Sequence, residues 1–404
     1  MTTQDDDYHP ERVAVFSGNY NCCTDGHSRT INRMVAYLES CGTEVMVFAP
    51  RTPTPRPTLG GTLVPIPSAP IPGRSEYRFA YSLTRSARRK LDAFQPDFIH
   101  VSTPDLLGYS AIRHAERQGI PIVASYHTRF DTYFRYYGAG ILESTILRYL
   151  RHFYSHCEHV YVPSQSMKEV LARTGIGRDI RLWSRGIDRT VFTPDKRDLS
   201  WRRSIGIADD EVVLLFVGRL VKEKAIDVVA ELHAELNRRG TKHRFMVVGE
   251  GPARPQFEAT MPAGIFVGFQ NGADLARAYA SADIFFNPSV TETFGNVTLE
   301  AMASGLPTLC LRATGSSNLV ANGVSGFLSE PGNISEAADR AETLITDKAL
   351  RQQMAQAARK RSASYSWDAV MRELVGHYHD IMRAKRGQRV FGYAGFPATQ
   401  PVLD

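Results

Sequence analysis

Two glutamates flank a short turn in the second half of the chain. The segment NPSVTETFGNVTLEAMASG (287–305) places Glu292 and Glu300 eight positions apart around the turn at 294–296. It predicts a strand, then a loop, then a helix that begins at about Gly295. The N-terminus of a helix offers unpaired N–H groups and a positive dipole end, which suit a phosphate. The two carboxylates could then accept hydrogen bonds from hydroxyl groups on both sides of that phosphate, as in a sugar nucleotide.

Two cations follow a predicted buried strand earlier in the same half. In LLFVGRLVKEKAIDVV (214–229) the strand ends at Gly218, and Arg219 and Lys224 come before the next helix. Cations at this edge of a sheet are placed to neutralise a diphosphate and to stabilise it as a leaving group. The pattern is therefore typical of a site that cleaves a sugar–diphosphate bond.

Each feature has a plainer explanation when it stands alone. Glu292 could be a solvated loop acid, Glu300 an ordinary first-turn glutamate, and the two cations surface charges. A glycosidase pair is another alternative, but it needs both carboxyl groups to face one sugar carbon, and a helix start between them disfavours this. The occurrence of acids and cations at strand ends of one domain favours the diphosphate site.

Four motifs in a fixed order carry a family resemblance. They are FVGRLVKEK, VVGEGP (247–252), NPSVTETFGNVTLEAMASGLP (287–307) and NGVSGFL (322–328). Together they resemble the retaining glycosyltransferases of family 4, which have two Rossmann-like domains in the GT-B arrangement. The glutamate pair that is the family's signature corresponds here to Glu292 and Glu300. The resemblance covers nearly the whole chain.

The resemblance implies a role for each of these side chains. Arg219 and Lys224 would hold the donor diphosphate, Glu292 the transferred sugar and Glu300 the nucleotide ribose. The further donor-binding residues would be Gly18, Gly218, Gly249, Glu250, Phe294, Gly295, Asn296 and Val297. The leaving phosphate would itself help to deprotonate the acceptor hydroxyl. We expect no cofactor and no metal, because a D-x-D pattern occurs only at 5–7.

The first half supplies a loop and a histidine to the same predicted cleft. VAVFSGNYNCCTDGHSRTINRMVAYLES (13–40) ends a strand in a loop that starts at Gly18 and opens a helix, where donor phosphate and acceptor approach in this family. The loop is longer and richer in Cys and Asn than the family's usual double glycine. In SYHTRFD (125–131), His127 follows a buried strand and matches the family's active-site histidine, which implies that it contacts the reacting sugar. A structural histidine is the alternative.

Alternating strands and helices must position these residues. The predicted strands are 13–16, 45–48, 98–101, 122–125 and 160–162, and then 212–217, 245–248, 266–269, 284–287 and 308–311. The predicted helices between them are 28–39, 108–116, 166–173, 227–238 and 273–281. This pattern indicates an α/β fold with two doubly wound, Rossmann-like domains that face each other across a cleft.

The domain boundary is expected in RGIDRTVFTPDKRDL (185–199). We assign 1–190 to an acceptor-binding domain and 191–364 to a nucleotide-sugar domain. A helix at 365–385 would cross back to the first domain, with Tyr365 and Trp367 as packing anchors, and 386–404 would be a flexible tail. The Pro-rich stretch 50–73 is predicted as a surface loop, with a wall of the acceptor site as the alternative.

Composition narrows the class of protein. A chain of 404 residues with 43% hydrophobic content predicts two cores, and a net charge of +6 favours a polyanionic partner. Five scattered cysteines without C-x-x-C spacing predict neither a disulfide framework nor a zinc site. With no long apolar run and an acidic start, we expect a cytoplasmic protein, peripheral to a membrane at most.

The acceptor is predicted from the branch that the sequence most resembles. TETFGNVTLEAMASG and SYHTRFDTYFRYYG are similar to lipid-modifying mannosyltransferases and sulfoquinovosyl-diacylglycerol synthases. This implies GDP-mannose or a UDP-sugar as donor and a lipid or glycan acceptor. The basic, aromatic segments 74–94 and 129–154 fit an anionic leaflet, or are helices with solvated basic faces. Arg129 and Arg135 are candidate cations for a charged sugar.

The residues alone leave three alternative functions open. The same chemistry could act on a soluble or polysaccharide acceptor, and the protein could be a silent sensor of sugar nucleotides. A nucleic-acid-binding protein would fit the positive charge, but the basic residues are dispersed and no recognition module is visible. We therefore predict no nucleic-acid partner.

Overall fold

The structure is a computed structural model that describes residues 9–23, 25–72, 74–129 and 143–392. Two parallel sheets follow one another along the chain, and helices cover both faces of each. The predicted α/β class with two doubly wound domains is confirmed. Every strand predicted from the sequence is present, with ends that agree to within three residues.

The described part of the first half contains nine strands. They are β1 (Arg12–Phe16), β2 (Glu44–Pro50), β3 (Thr62–Ile66), β4 (Ser68–Ile71), β5 (Arg74–Ala80), β6 (Phe98–Val101), β7 (Ile122–Ser125), β8 (His159–Val162) and β9 (Ile180–Leu182). Seven form a parallel sheet in the order β3-β2-β1-β6-β7-β8-β9, and β4 and β5 form an antiparallel hairpin. The central strands β6, β7 and β8 are buried throughout, as expected for a sheet covered on both faces.

The helices of the first half are α1 (Gly26–Ser40), α2 (Arg85–Phe94), α3 (Leu106–Gln118), α4 (Glu143–Ser155) and α5 (Gln165–Thr174). Polar residues cap several of them. Asp25 accepts from Ser28 N at 2.8 Å, and Ser28 Oγ accepts from Asp25 N, which makes a capping box for α1. This cap fixes where α1 begins.

The second half has a six-stranded parallel sheet. Its strands are β10 (Val213–Val217), β11 (Arg244–Val248), β12 (Ile265–Gly268), β13 (Ile284–Asn287), β14 (Thr308–Leu311) and β15 (Gly326–Ser329), in the order β12-β11-β10-β13-β14-β15. Its helices are α6 (Leu199–Ser204), α7 (Ile226–Arg238), α8 (Arg254–Thr260), α9 (Gly272–Ala280), α10 (Asn296–Ala303), α11 (Thr314–Leu319), α12 (Ile334–Thr346) and α13 (Lys348–Ser362). The order reverses between β10 and β13, where ligands bind in such sheets.

The last helix, α14 (Trp367–Gly392), returns to the first half. Its residues Leu374 and Tyr378 are buried in one core with Val13 and Val15 of β1. The helix continues to Gly392, beyond the predicted end at 385, and the flexible tail stays a prediction. Residues 393–404 lie outside the described part.

The Pro-rich stretch 50–73 is not simply a loop. It contributes β3 and β4, and β3 is an edge strand of the first sheet. Pro65 lies in β3, where a missing N–H is tolerated because one side of an edge strand has no partner. Similarly, the segment 74–80 forms the strand β5 rather than a helix.

Candidate active site

The predicted strand, loop and helix around Glu292 are present. β13 ends at Asn287 and α10 begins at Asn296, after Gly295 in the left-handed conformation (φ 97°). Lys224 Nζ donates to Glu292 Oε1 at 2.9 Å, and Asn287 Nδ2 donates to Glu292 Oε2 at 3.3 Å. The structure therefore brings Glu292 and Lys224 together beside the N-terminus of α10.

Glu292 is not a solvated loop acid. Its side chain is 12% exposed and that of Lys224 is 29% exposed. Lys224 ends a 3₁₀ turn (Lys222–Lys224) after β10, and Thr291 Oγ1 donates to Glu223 O in this turn at 3.2 Å. The loop before α10 is thus tied to the loop after β10, and a partly buried ion pair joins them.

Glu300 differs from Glu292 in its surroundings. It lies inside α10 and is buried, and Tyr279 of α9 donates its hydroxyl to Glu300 Oε2 at 3.0 Å. Burial raises the pKa of Glu300 to about 7, while the Tyr279 hydrogen bond and the positive charge of Arg29 act in the opposite direction. Arg29 belongs to α1, so the first half of the chain contributes a charge to this site.

Arg219 is paired across the cleft. It follows β10, and its Nη2 lies 2.6 Å from Oε1 of Glu76 on β5. No sequence signal distinguished Glu76 from other surface acids. The pairing shows that the β4–β5 hairpin reaches the strand edge where the predicted diphosphate site lies.

Gly218 and Gly249 are in backbone contact at this edge. A Cβ on Gly249, whose φ is 145°, would lie 1.8 Å from Gly218 O, so no other residue fits. Gly218 N donates to Val248 O at 3.0 Å. Glu250, next along the chain, pairs with Arg254 of α8. The predicted residues Gly218, Gly249 and Glu250 therefore adjoin Arg219 in space.

Gly26, rather than Gly18, faces the second half. A Cβ on Gly26 would lie 2.8 Å from Asn296 Nδ2, so the N-termini of α1 and α10 meet. Gly18 instead donates its N–H to Thr103 Oγ1 at 2.9 Å within the first half. A donor contact by Gly18 stays a prediction. The capping signal at Asp25 could have pointed to Gly26.

The side chains of Phe294 and Val297 are directed into cores. Phe294 is buried with Leu299, and its ring centroid lies 5.8 Å from that of Tyr365. Val297 packs against the core that contains Phe285. Any contact of these two residues with a donor therefore falls to their backbone groups, and Tyr365 is a packing residue.

His127 lies directly beside the loop that carries Glu292. Thr293 Oγ1 donates to His127 O at 2.9 Å, and Ser164, the cap of α5, donates its hydroxyl to Thr293 O at 2.8 Å. The centroids of the His127 and His27 rings are 4.5 Å apart. Burial holds the pKa of His127 well below its ordinary value. Sequence reasoning did not single out His27.

Two further expectations concern metals and membranes. Among the described residues, no three His, Cys, Asp or Glu side chains are grouped as a metal site would require. The aspartates at 5–7 lie outside the described part, as does Arg135, and metal independence stays a prediction. No helix within the described ranges is both long and apolar enough to cross a bilayer.

Comparisons with known proteins identify the class. The Glycosyltransferase Family 4 profile matches residues 24–191, and the Glycosyl transferases group 1 profile matches residues 198–361. The chain belongs to family 4 of the glycosyltransferases, as the motifs predicted.

Two curated relatives span most of the chain. A GDP-mannose-dependent alpha-mannosyltransferase from Mycolicibacterium smegmatis is 32% identical over 376 residues, which cover 92% of this chain and 98% of that protein. Sulfoquinovosyl transferase SQD2 from Arabidopsis thaliana is 30% identical over 370 residues, covering 89% of this chain and 72% of that protein. The resemblance to the lipid-modifying branch is confirmed.

Solved structures support the fold. Sucrose-phosphate synthase from Thermosynechococcus elongatus superposes with a TM-score of 0.75 at 19% identity, covering 93% of this chain and all of that one. HepE from Anabaena, in complex with UDP and glucose, gives a TM-score of 0.71 at 17% identity and covers 91% and 99% of the two chains. The GT-B arrangement of the two domains is confirmed.

Proposed function

We propose that the protein is a retaining hexosyltransferase that moves a hexose from GDP-mannose or a UDP-sugar to a hydroxyl group of a membrane glycolipid precursor. The observation that carries this proposal is the contact between Lys224 and Glu292 at the N-terminus of α10. It puts a cation, a carboxylate and free helix amides within reach of one phosphosugar.

The donor would lie with its diphosphate between the two halves. Lys224 has three N–H donors, so it can bind a phosphate oxygen while it still donates to Glu292. The first-turn amides of α10 add further donors, and Arg219 adds a second positive charge. Glu292 would accept from hydroxyl groups of the transferred sugar, and Glu300 from the ribose, with Tyr279 fixing its carboxylate.

The retaining chemistry that the family implies is compatible with this charge distribution. The bond between C1 of the sugar and the phosphate oxygen breaks, and the acceptor oxygen forms a new bond to C1 on the same face. The acceptor proton passes to the leaving phosphate, so the products are a glycoside and a protonated nucleoside diphosphate. Lys224 and Arg219 stabilise the negative charge that develops on the leaving group. This route needs no protein nucleophile and no metal ion.

A lipid acceptor is supported by the surface beside the cleft. β5 carries Glu76 at the cleft. Phe79 on the same strand is 41% exposed, and Tyr81, which follows the strand, is 49% exposed. Three residues of a strand span about 10 Å. Phe79 therefore lies about this distance along the strand from Glu76, and these exposed aromatic side chains could contact the membrane that holds the acceptor.

The helix α2, which begins four residues after Tyr81, adds positive charge to the first half. Its residues Ala87, Leu91 and Phe94 are buried, so its apolar face is already covered by protein. The exposed cations of its outer face are Arg85, Arg88, Arg89 and Lys90. Contact with a membrane would thus be electrostatic through α2, with insertion limited to the exposed aromatic side chains Phe79 and Tyr81. Of the second basic segment, 129–154, residues 130–142 lie outside the described part of the chain.

The names of the relatives agree with a lipid acceptor. One is an alpha-monoglucosyldiacylglycerol synthase from Streptococcus pneumoniae, 28% identical over 329 residues, and the relatives above are named for GDP-mannose and for sulfoquinovose. The first name supports a diacylglycerol-linked product, and the other two differ in the transferred sugar, so the identity of the donor is the first thing to measure.

A thermal-shift panel of UDP, GDP, ADP and their hexose conjugates, without metal and then with magnesium, tests the donor. A ligand at 100 times its Kd stabilises the folded state by about 2.7 kcal/mol. We expect one nucleotide to raise the unfolding temperature without metal, and Lys224→Met to abolish the shift. The matched control is Lys222→Met, an exposed lysine two residues earlier. No shift with any nucleotide would contradict the proposal.

The acceptor is tested by transfer assays with the selected donor. Mixed micelles that contain diacylglycerol or phosphatidylinositol should give a labelled lipid product, whereas soluble glycans should give none. Labelled soluble glycan with unlabelled lipid would favour the rival acceptor class. A salt-sensitive mobility shift on random DNA would contradict the expectation of no nucleic-acid partner.

A further inference from the structure

A buried arginine occupies the segment where the chain crosses between the halves. Arg185 follows β9, and the next residues are anchored by the start of α14. A Cβ on Gly186 would lie 2.6 Å from Trp367 Cα, and Ile187 N donates to Tyr365 O at 2.8 Å. The backbone that carries Arg185 is therefore held at the crossing point.

The guanidinium of Arg185 is also held. The residue is 5% exposed, and Nη1 donates to Trp183 O at 2.7 Å and to Ser184 O at 3.1 Å. Its Cζ lies 5.3 Å from the centroid of the Trp183 ring. Burial lowers the pKa of Arg185 to about 9, so it remains a cation at neutral pH. Its orientation is fixed by groups within the first half.

Arg185 determines the protonation of His127. Nη2 of Arg185 lies 2.7 Å from Nδ1 of His127. A guanidinium only donates, so Nδ1 must accept and the neutral ring must carry its proton on Nε2. That Nε2 atom is buried and has no hydrogen-bond partner among the described residues. An N–H donor without a partner in a buried position beside the cleft is suited to a substrate oxygen.

We propose that Arg185 is a positioning residue, which orients His127 and keeps its proton on Nε2 so that this N–H donates to a hydroxyl group of the transferred sugar. The inference rests on the proposed function, because it takes the sugar to lie beside His127. Arg185 itself does not touch the sugar.

The charged and titratable groups around His127 act mainly in one direction. His27 from α1, His100 from β6 and Arg185 each disfavour a positive charge on the ring. Asp25, two residues before His27, favours a positive charge on the His27 ring, whereas burial and Arg185 disfavour it. Burial contributes most to the neutral ring, and Arg185 adds to it through its charge and fixes the tautomer through its hydrogen bond.

The test compares Arg185→Met with Arg185→Lys in the full-length protein. Both side chains are unbranched and of similar length, but only lysine can donate to Nδ1. Protein labelled with ¹⁵N-histidine is titrated by NMR between pH 5.5 and 8, with His127→Gln used to assign the His127 signals. We expect the Nε2-protonated neutral pattern in the wild type and in Arg185→Lys, and a cationic or Nδ1-protonated share in Arg185→Met.

Kinetics give the second readout. Loss of one directed hydrogen bond in the transition state should lower kcat of Arg185→Met about tenfold, with little change in the donor KM, and Arg185→Lys should recover most of it. Arg151→Met is the control, since Arg151 donates to the backbone carbonyl of Thr174 at the surface. An unchanged His127 pattern or an unchanged kcat in Arg185→Met would overturn the inference. Absence of transfer by the wild type would instead overturn the proposed function, and the NMR titration would still decide the role of Arg185.

Discussion

Arg219 and Glu76 form an ion pair of 2.6 Å between the two halves of the protein, at the strand edge where the donor diphosphate is expected. Their side chains are 34% and 38% exposed, so the pair is accessible to solvent and to ligands. A phosphate that binds Arg219 must compete with the carboxylate of Glu76. We therefore expect the β4–β5 hairpin, which carries Glu76, to affect donor binding from the opposite domain.

Replacing Glu76 by glutamine should tighten donor binding. Exposed ion pairs contribute about 1 kcal/mol or less, so Glu76→Gln should lower the Kd of the nucleoside diphosphate by at most about fivefold. Isothermal titration calorimetry at low salt measures this change. Glu330→Gln is the matched control, because Glu330 pairs with Arg312 at another exposed position. Weaker binding in Glu76→Gln would show that Glu76 contacts the donor instead of competing with it.

The Lys224–Glu292 pair should be coupled in stability as well as in activity. Lys224→Met should reduce transfer by about 100-fold or more, since it removes a positive charge that stabilises the leaving diphosphate. It should also destabilise the fold, because Glu292 is 12% exposed and, within the described part of the chain, its carboxylate would keep only the hydrogen bond from Asn287. If both side chains were fully solvated, Lys224→Met would leave stability nearly unchanged.

A double-mutant cycle measures this coupling. Lys224→Met/Glu292→Gln should be more stable than Lys224→Met alone, by about 1 kcal/mol or more in urea unfolding. Additive changes in the free energy of unfolding would mean that the pair is not coupled in solution.

The strands were predictable where apolar residues are buried along the whole strand, and less so elsewhere. Runs such as VLLFV in β10 and IFFN in β13 identify themselves by composition. β3 and β4 were missed because prolines suggested a loop, and β9, with three residues, is too short for a periodic signal. The ends of the helices depended on caps that the sequence does show, such as Asp25.

The site residues also fall into those that the local sequence identifies and those that only the structure reveals. Glu292, Glu300, Arg219 and Lys224 were found because residue type and spacing carry their chemistry along one segment each. Glu76 and Arg185 act through contacts with residues about 140 and 60 positions away, and such partners leave no local pattern. The burial of Glu292 and of the Phe294 ring also depends on packing between elements, which the local sequence does not determine.

Donor affinity should fall on acidification because of Glu300. Its pKa is raised by burial from 4.5 to about 7, so the carboxylate that would accept from the ribose becomes protonated below neutral pH. Affinity should then decrease by up to about tenfold per pH unit below 7. Titration calorimetry between pH 5.5 and 8.5 measures it. A pH-independent Kd would contradict a ribose contact by ionised Glu300.

Two variants check that Glu300 is the group that titrates. Tyr279→Phe removes the hydrogen bond that lowers the Glu300 pKa, so the midpoint should move to higher pH, whereas Glu300→Gln should abolish the dependence. The raised pKa of Glu300 affects folding stability in the opposite direction, because protonation favours the native state. The native state retains a proton that the unfolded chain releases, so this contribution to stability is full below pH 4.5 and is lost as pH rises through 7.

The outer face of α2 should bind anionic vesicles. Arg88→Glu/Arg89→Glu/Lys90→Glu should abolish cosedimentation with phosphatidylglycerol vesicles, because each basic side chain near such a surface contributes about 1 kcal/mol. Binding of the wild type should weaken with salt. The control with the same change in net charge is Lys242→Glu/Lys348→Glu/Lys360→Glu, which alters exposed lysines of the second half. Equal loss in both triple variants would indicate a net-charge effect without a specific surface.

Gly295 should be required for two separable reasons. Its φ of 97° costs about 1 kcal/mol for any residue with a Cβ, and that Cβ would also lie 3.0 Å from Glu292 Oε2. Gly42 has a φ of 90° with nothing within 4 Å of the added atom, so Gly42→Ala carries the backbone cost alone. We expect Gly295→Ala to lose more stability than Gly42→Ala in urea unfolding, and to reduce transfer while Gly42→Ala retains it. Equal losses of stability with unchanged transfer would show that the contact between Gly295 and Glu292 does not position the carboxylate.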